Sequence, residues 1–160
     1  MVTHYFAAMS FEIVIPANPL TSDREAILAP LVAYNTSKAG PSGHKPVAIL
    51  LRDRETGETL GGVWASVSYR WLHIDLLFVP EALRGKHVGS ELMRRAEQIA
   101  AENDCVGIRL DTHSFQAPDF YRKLGYEVFG FFDDNPPGTR RFFFQKRLLA
   151  HGSSTNSALL

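Results

Sequence analysis

Apolar and polar positions along the chain follow two alternating periods. Residues 47–52, 59–69 and 71–79 alternate or run apolar over short stretches bounded by turn residues, which predicts three strands. Glu55-Thr56-Gly57-Glu58 predicts a hairpin turn between the first two. The third is apolar at its end, which predicts a central position in a sheet. From Val88 the period changes. Val88, Leu92, Ala96, Ile99 and Ala100 recur at helical spacing, with Glu91, Arg94, Arg95 and Glu97 among the polar positions, so an amphipathic helix should run to about Asn103. A strand over residues 106–112, a short helix over 117–124 stopped by Gly125, and strands over 126–132 and 140–148 complete the pattern, the last two joined by a Pro-Gly loop. Ahead of these, residues 11–15 predict a short strand. Thr21, Ser22 or Asp23 can cap a helix to about Asn35, with Ile27, Leu28, Leu31 and Val32 on its apolar side. The order predicts a mixed α/β sheet with helices on both faces, in one domain over residues 1–149. A small polar tail over residues 150–160 should fray.

Charge narrows the partners. Seventeen basic and seventeen acidic residues cancel, so no global field recruits nucleic acid or anionic lipid, and partners must be recognised locally. The single cysteine, Cys105, excludes an internal disulfide and a cysteine-built zinc site, and nothing marks it as a nucleophile. No apolar run approaches the roughly 20 residues of a membrane span. Met1–Ser10 lacks the basic start and long apolar stretch of a signal peptide. A cytoplasmic location away from membranes is expected.

The segment Val79-Pro80-Glu81-Ala82-Leu83-Arg84-Gly85-Lys86-His87-Val88-Gly89-Ser90 carries the most chemistry. A central strand ends, the chain turns through a basic, glycine-bearing loop, and a helix begins. Free N–H groups at a helix start, with the positive end of its dipole, form an anion site. Gly85 and Gly89 would let the backbone approach phosphate oxygens, and Arg84 and Lys86 add charge. The same segment also reads as a tight turn whose glycines serve geometry alone. It lacks the Gly-Lys-Ser/Thr ending of a P-loop, and it does not follow the first strand as a dinucleotide fingerprint would.

Arg84-Gly85-Lys86-His87-Val88-Gly89-Ser90 resembles the Gln/Arg-x-x-Gly-x-Gly/Ala motif of GNAT acetyltransferases. Ala117-Pro118-Asp119-Phe120-Tyr121-Arg122-Lys123-Leu124-Gly125-Tyr126, about 33 residues on, resembles that family's second signature. The element order from Phe11 to Leu148 is similar as well. The resemblance implies a single-domain, mostly antiparallel mixed sheet, flanked by helices and splayed between its central strands at a coenzyme A site. It implies acetyl-CoA as co-substrate, with its pyrophosphate at residues 84–90. The backbone of Leu77, Phe78 and Val79 would pair with the pantetheine arm, an N–H there would polarise the thioester carbonyl, and Tyr121 would act as general acid. Two positions depart from the family: His87 replaces the first motif glycine, and Ser114 lies near where many members carry an Asn that holds the pantetheine arm.

Acetyl transfer to an amine needs a neutral amine, a polarised carbonyl and a stabilised leaving thiolate. His73 and Asp75 alternate onto one face of the strand leading to the loop, where Asp75 could draw a proton through water or bind the ammonium. Asp111 and His113 end the strand from Val106 in the same alternation. All four also read as ordinary strand or strand-end polar residues. No ligand spacing among them supports a metal. Asp133 opens an acidic, aromatic-flanked loop that would suit a cationic acceptor, or is simply a solvated turn. The acceptor implied is a primary amine of a small molecule or peptide. A non-catalytic acyl-CoA-binding or interaction module on the same fold is the alternative, and His87 is the feature that favours it. The aromatic content of the last two strands predicts a homodimer.

Overall fold

The structure is a computed structural model that describes residues 11–148. The expected tail and the first ten residues lie outside that range. The chain divides into two compact units, one ending at Gly40 and one starting at Pro41.

In the first unit, residues 11–16 form no regular structure, so the strand expected at residues 11–15 is not made. Alternation alone cannot supply a ladder partner for the N–H and C=O groups of a strand. Helix α1 (Thr21–Ala39) follows. None of the three capping candidates takes the cap position, which falls on Leu20; Asp23 instead bonds back from the first turn, its carboxylate accepting the Leu20 N–H at 2.8 Å. The helix runs one turn past Asn35 and stops at Gly40, whose positive φ of 76° leaves the helical region. Its apolar side, Ile27, Leu28, Leu31 and Val32, is 39–70% exposed.

The second unit contains β1 (Lys45–Arg52), β2 (Thr59–Ser68), β3 (Trp71–Phe78), α2 (Val88–Glu102), β4 (Gly107–His113), α3 (Pro118–Lys123), β5 (Glu127–Asp133) and β6 (Arg140–Arg147). The hairpin between β1 and β2 is organised by Asp53, whose carboxylate accepts the N–H groups of Glu55 and Thr56 at 2.9 and 2.8 Å. The strands form a six-stranded sheet in the order β1-β2-β3-β4-β6-β5. Only β3–β4 is parallel, because α2 carries the chain across between them.

Register builds the core. Val47, Ala65, Ile74, Leu110 and Phe144 line up across five strands and are all buried. Val67, Leu72 and Ile108 make a parallel row. Onto these rows α2 lays Leu92, Met93, Ala96 and Ala100, each fully enclosed or nearly so, at a helical spacing that yields one apolar stripe. Burial of each large apolar side chain contributes roughly 1.5–3 kcal/mol. Tyr121 of α3 meets Phe144 with ring centroids 5.8 Å apart, so α3 covers the same face as α2. Within this unit both helices therefore share one face. The opposite face presents Trp64, His73, Arg109, Asp111 and Phe143.

One irregularity positions everything that follows. β3 and β4 pair only from Trp71 with Gly107 to Ile74 with Leu110, and beyond that rung they part. Past the parting β4 stays paired with β6 as far as His113 and Arg141. At the same level Asp75 is the extra residue of a β-bulge, since Ala65 pairs with Ile74 while Trp64 pairs with Leu76.

Candidate active site

The turn between β3 and α2 is built from local constraints. A short 3-10 turn at Glu81–Leu83 reverses the chain, and the Arg84 Nε donates to the Val79 carbonyl at 3.1 Å. Gly85 takes a φ of 74° with open space around it. His87 begins α2 in the left-handed region, at φ 61° and ψ 8°, with no side-chain cap. That is the conformation in which glycine carries no steric penalty. The first bond of α2 runs from the Glu91 N–H to the His87 carbonyl at 3.0 Å. The N–H groups of Val88, Gly89 and Ser90 thus precede the hydrogen-bonded ladder and project from the positive end of the helix. Gly89 has a different job from Gly85: a Cβ there would come within 3.2 Å of the Phe120 ring. Its absence lets α3 approach α2. Lys86 and His87 are exposed beside the turn.

Leu77 and Phe78 pair with Val63 and Gly62 of β2, which satisfies one edge of β3. The other edge, from Asp75 through Phe78, faces no strand among the described residues because β4 has turned away. Its outward N–H and C=O groups can take an extended ligand as a strand takes a neighbour. The turn and this free edge adjoin each other through Val79.

On the face away from the helices, His73, Asp75 and Asp111 come together at the start of the gap. His73 Nδ1 lies 3.2 Å from Asp75 Oδ1. Arg109 is the direct register partner of His73. Partial burial, and then the Arg109 charge, push the His73 pKa below the usual 6.5, against the opposing pull of Asp75 and Asp111. Asp111 is held by Arg141, whose Nε donates to Oδ2 at 2.6 Å.

Other expected site residues have structural engagements. Asp133 pairs with Arg140 at 2.7 Å on β5, the edge strand, two strands beyond β4. It does not join His73 and Asp75. The Ser114 hydroxyl accepts the Arg140 N–H at 3.2 Å, and the Ser114 N–H donates to the Arg140 carbonyl at 2.7 Å, which pins the start of β6 to the end of β4. His113 stacks on Phe115, with centroids 5.1 Å apart.

Tyr121 is only 7% exposed, enclosed by the rings of Phe120, Tyr126 and Phe144. Burial, with a smaller contribution from the Asp111 charge, pushes its pKa up to about 12, so the phenol keeps its proton at any working pH. Two residues of the site were not singled out by sequence reasoning. Arg109 was findable, since it alternates with Asp111 and His113. Arg141 was not, because only the β4–β6 pairing brings it to Asp111. Among the described residues no group of three His, Cys, Asp or Glu side chains is placed to hold a metal ion.

The parallel pair β3–β4 thus parts beside the uncapped N-terminus of α2, and comparison with known proteins gives this frame a family. The sequence model of the Acetyltransferase (GNAT) family matches residues 22–126, and the chain belongs to that family. It is 42% identical over 95 residues to the blasticidin-S acetyltransferase of Streptomyces morookaense, covering 59% of this chain and 70% of that one. It is 33% identical over 123 residues to an acetyltransferase of Agrobacterium fabrum, covering 77% and 89%. The crystal structure of an acetyltransferase from Bacillus cereus superposes with a TM-score of 0.76 at 36% identity, covering 84% of this chain and 98% of that one.

Proposed function

We propose that this acetyltransferase moves an acetyl group from acetyl-CoA to a primary amine of a small molecule, by direct attack in a ternary complex. The observation that carries the reading is the parting of β3 and β4 beside the uncapped N-terminus of α2. The residues present fit the co-substrate. The N–H groups of Val88, Gly89 and Ser90, with Gly85, Lys86 and Arg84 around them, would take the pyrophosphate. The free edge at Leu77, Phe78 and Val79 would take the pantetheine arm, and an N–H of that edge would polarise the thioester carbonyl.

Alignment of amine and thioester in the gap lowers the barrier by roughly 7–11 kcal/mol. Deprotonating an alkyl ammonium of pKa about 10.4 at pH 7 costs roughly 4–5 kcal/mol. Positioning therefore carries more of the reaction than acid–base help. Tyr121, holding its proton, supplies it to the departing thiolate. Asp75 serves the amine side of the gap. The exposed Asp75 carboxylate favours a cationic acceptor, and the name of the blasticidin-S relative supports a small molecule as acceptor. The test is a panel of primary amines assayed for free thiol release from acetyl-CoA. Turnover confined to amines is the expected result, and binding of acetyl-CoA without any amine-dependent release would favour the non-catalytic alternative.

The same reading includes a homodimer in the cytoplasm. Phe129, Phe131 and Phe132 are 51–57% exposed on β5, an edge strand with one side unpaired. Light scattering should give about twice the 17.9 kDa chain mass. Among the described residues no helix is long and apolar enough to cross a membrane.

A further inference from the structure

We propose that His73 is the group that takes the proton from the acceptor ammonium, and that Asp75 acts through it as a positioning residue. The inference rests on the acetyl-transfer reading and names which side chain on β3 meets the amine.

Geometry comes first. His73 sits one rung before Ile74–Leu110, the last rung of the β3–β4 pair, and so stands at the start of the gap. Asp75 is the extra residue of the bulge, and a bulge re-aims the side chain it carries. The result is the 3.2 Å approach of Nδ1 to the Asp75 carboxylate. With Nδ1 turned to the carboxylate, Nε2 is on the far side of the ring. A carboxylate at Nδ1 favours the tautomer with its proton there, which leaves the Nε2 lone pair free to accept.

The charges around His73 lead the same way. Asp75 lies on its own strand, Arg109 and Asp111 on β4, and Arg141 on β6, while its register partner on β2 is the uncharged Ser66. Asp111 is committed to Arg141 and is not a competing acceptor. Burial and Arg109 together outweigh the two carboxylates and hold the imidazole pKa below its usual 6.5, which favours the neutral form at pH 7. An imidazole also has an ordinary pKa closer to the working pH than any carboxylate, which makes it the better proton acceptor there.

The step balances without any further reagent. Nε2 takes one proton from the ammonium. The neutral nitrogen attacks the thioester carbonyl, the C–N bond forms, and the C–S bond breaks with its electron pair leaving on sulfur. The thiolate takes the Tyr121 proton, and the amide nitrogen sheds its remaining extra proton to solvent. Tyr121 is reprotonated from solvent and His73 releases its proton there, so one proton is released per turnover.

Two measurements test this on the full chain. Ring-nitrogen NMR of the protein without acceptor should show His73 as the Nδ1–H tautomer at pH 7, with a midpoint below 6.5. Asp75→Asn should shift the tautomer balance toward Nε2–H. A His73 that is Nε2–H or protonated at pH 7 overturns the proposal. With an accepted amine, His73→Gln should lower kcat by a factor on the order of 10²–10⁴ while acetyl-CoA affinity and melting temperature hold. Its residual rate should climb about tenfold per pH unit as the amine sheds its own proton, and added imidazole should restore part of it. Asp75→Asn should cost no more than His73→Gln, because an orienting carboxylate acts only through the base it orients. Turnover by His73→Gln within a few-fold of wild type overturns this proposal alone. A wild-type protein that turns over no amine overturns the acetyl-transfer reading, and this proposal with it.

Discussion

The two faces of the sheet are made by the same strands and share almost no chemistry. On the face under α2 and α3, Ile74 and Leu110 sit side by side, dry and closed over by helix. One residue back along each strand, on the other face, the half-buried His73 sits beside the exposed, charged Arg109. The pleat alone separates them, since successive side chains point to opposite sides. The first face holds the strands together up to the rung where they part, and the second uses the parting. Stability and reactivity can thus be altered nearly independently by moving one position along a strand.

Tyr121 is the residue that crosses this division, because it is buried with the core yet is assigned a proton to give. Tyr121→Phe keeps the ring packing against Phe144 and removes only the hydroxyl. We expect kcat to fall by a factor on the order of 10²–10⁴, with melting temperature and acetyl-CoA affinity nearly unchanged. Steady-state rates beside a melting curve decide it, and an unchanged kcat returns Tyr121 to the core. The wild-type rate should show no loss from phenol ionisation until the pH approaches about 12, the value to which burial raises Tyr121. At the acid end kcat/KM should rise with pH through the His73 midpoint, which lies below 6.5, and level off above it as the neutral imidazole becomes fully populated.

The comparison is sharpened by two neighbours on β4. Leu110→Ala should lower unfolding stability by roughly 2–5 kcal/mol, because a fully packed side chain leaves a cavity. Arg109→Ala, one residue away on the exposed face, should change it by no more than about 0.5 kcal/mol. Denaturant melts of both variants are sufficient, and equal losses would mean that the two faces are not separable.

Smaller effects belong to the turn. Arg84→Ala should weaken acetyl-CoA binding by about 1.5–3 kcal/mol, the range for a charge-assisted hydrogen bond, as read by calorimetry. Unchanged affinity would place the pyrophosphate elsewhere. His87→Gly should be smallest. Relief of the left-handed strain, worth roughly 1–2 kcal/mol, is partly offset by the added freedom of glycine in the unfolded chain, so a net gain of about 1 kcal/mol is expected. Binding should hold or tighten. A large loss of affinity would instead mean that the imidazole touches the co-substrate.

By itself the sequence determined the elements of the second unit to within a residue or two, and the turn at residues 84–90. Both rest on local physics: alternation and helical spacing act within one element, and a turn needs its glycines and its helix start within a few residues. His73 with Asp75, and Asp111 with His113, were legible as pairs for the same reason. The strand expected at residues 11–15 failed because a strand is completed by a partner that local pattern does not name. Only the tertiary structure decided which pairs meet. The β3–β4 register put Arg109 against His73, and β6 inserted beside β4 brought Arg141 to Asp111. The same insertion left Asp133 out on the edge strand. Only the packing of α3 revealed that Gly89 yields space to Phe120 while Gly85 supplies a backbone angle. These are contacts between residues distant along the chain, fixed by sheet order and by the rung at which two strands part, and no period or motif within one segment carries that information.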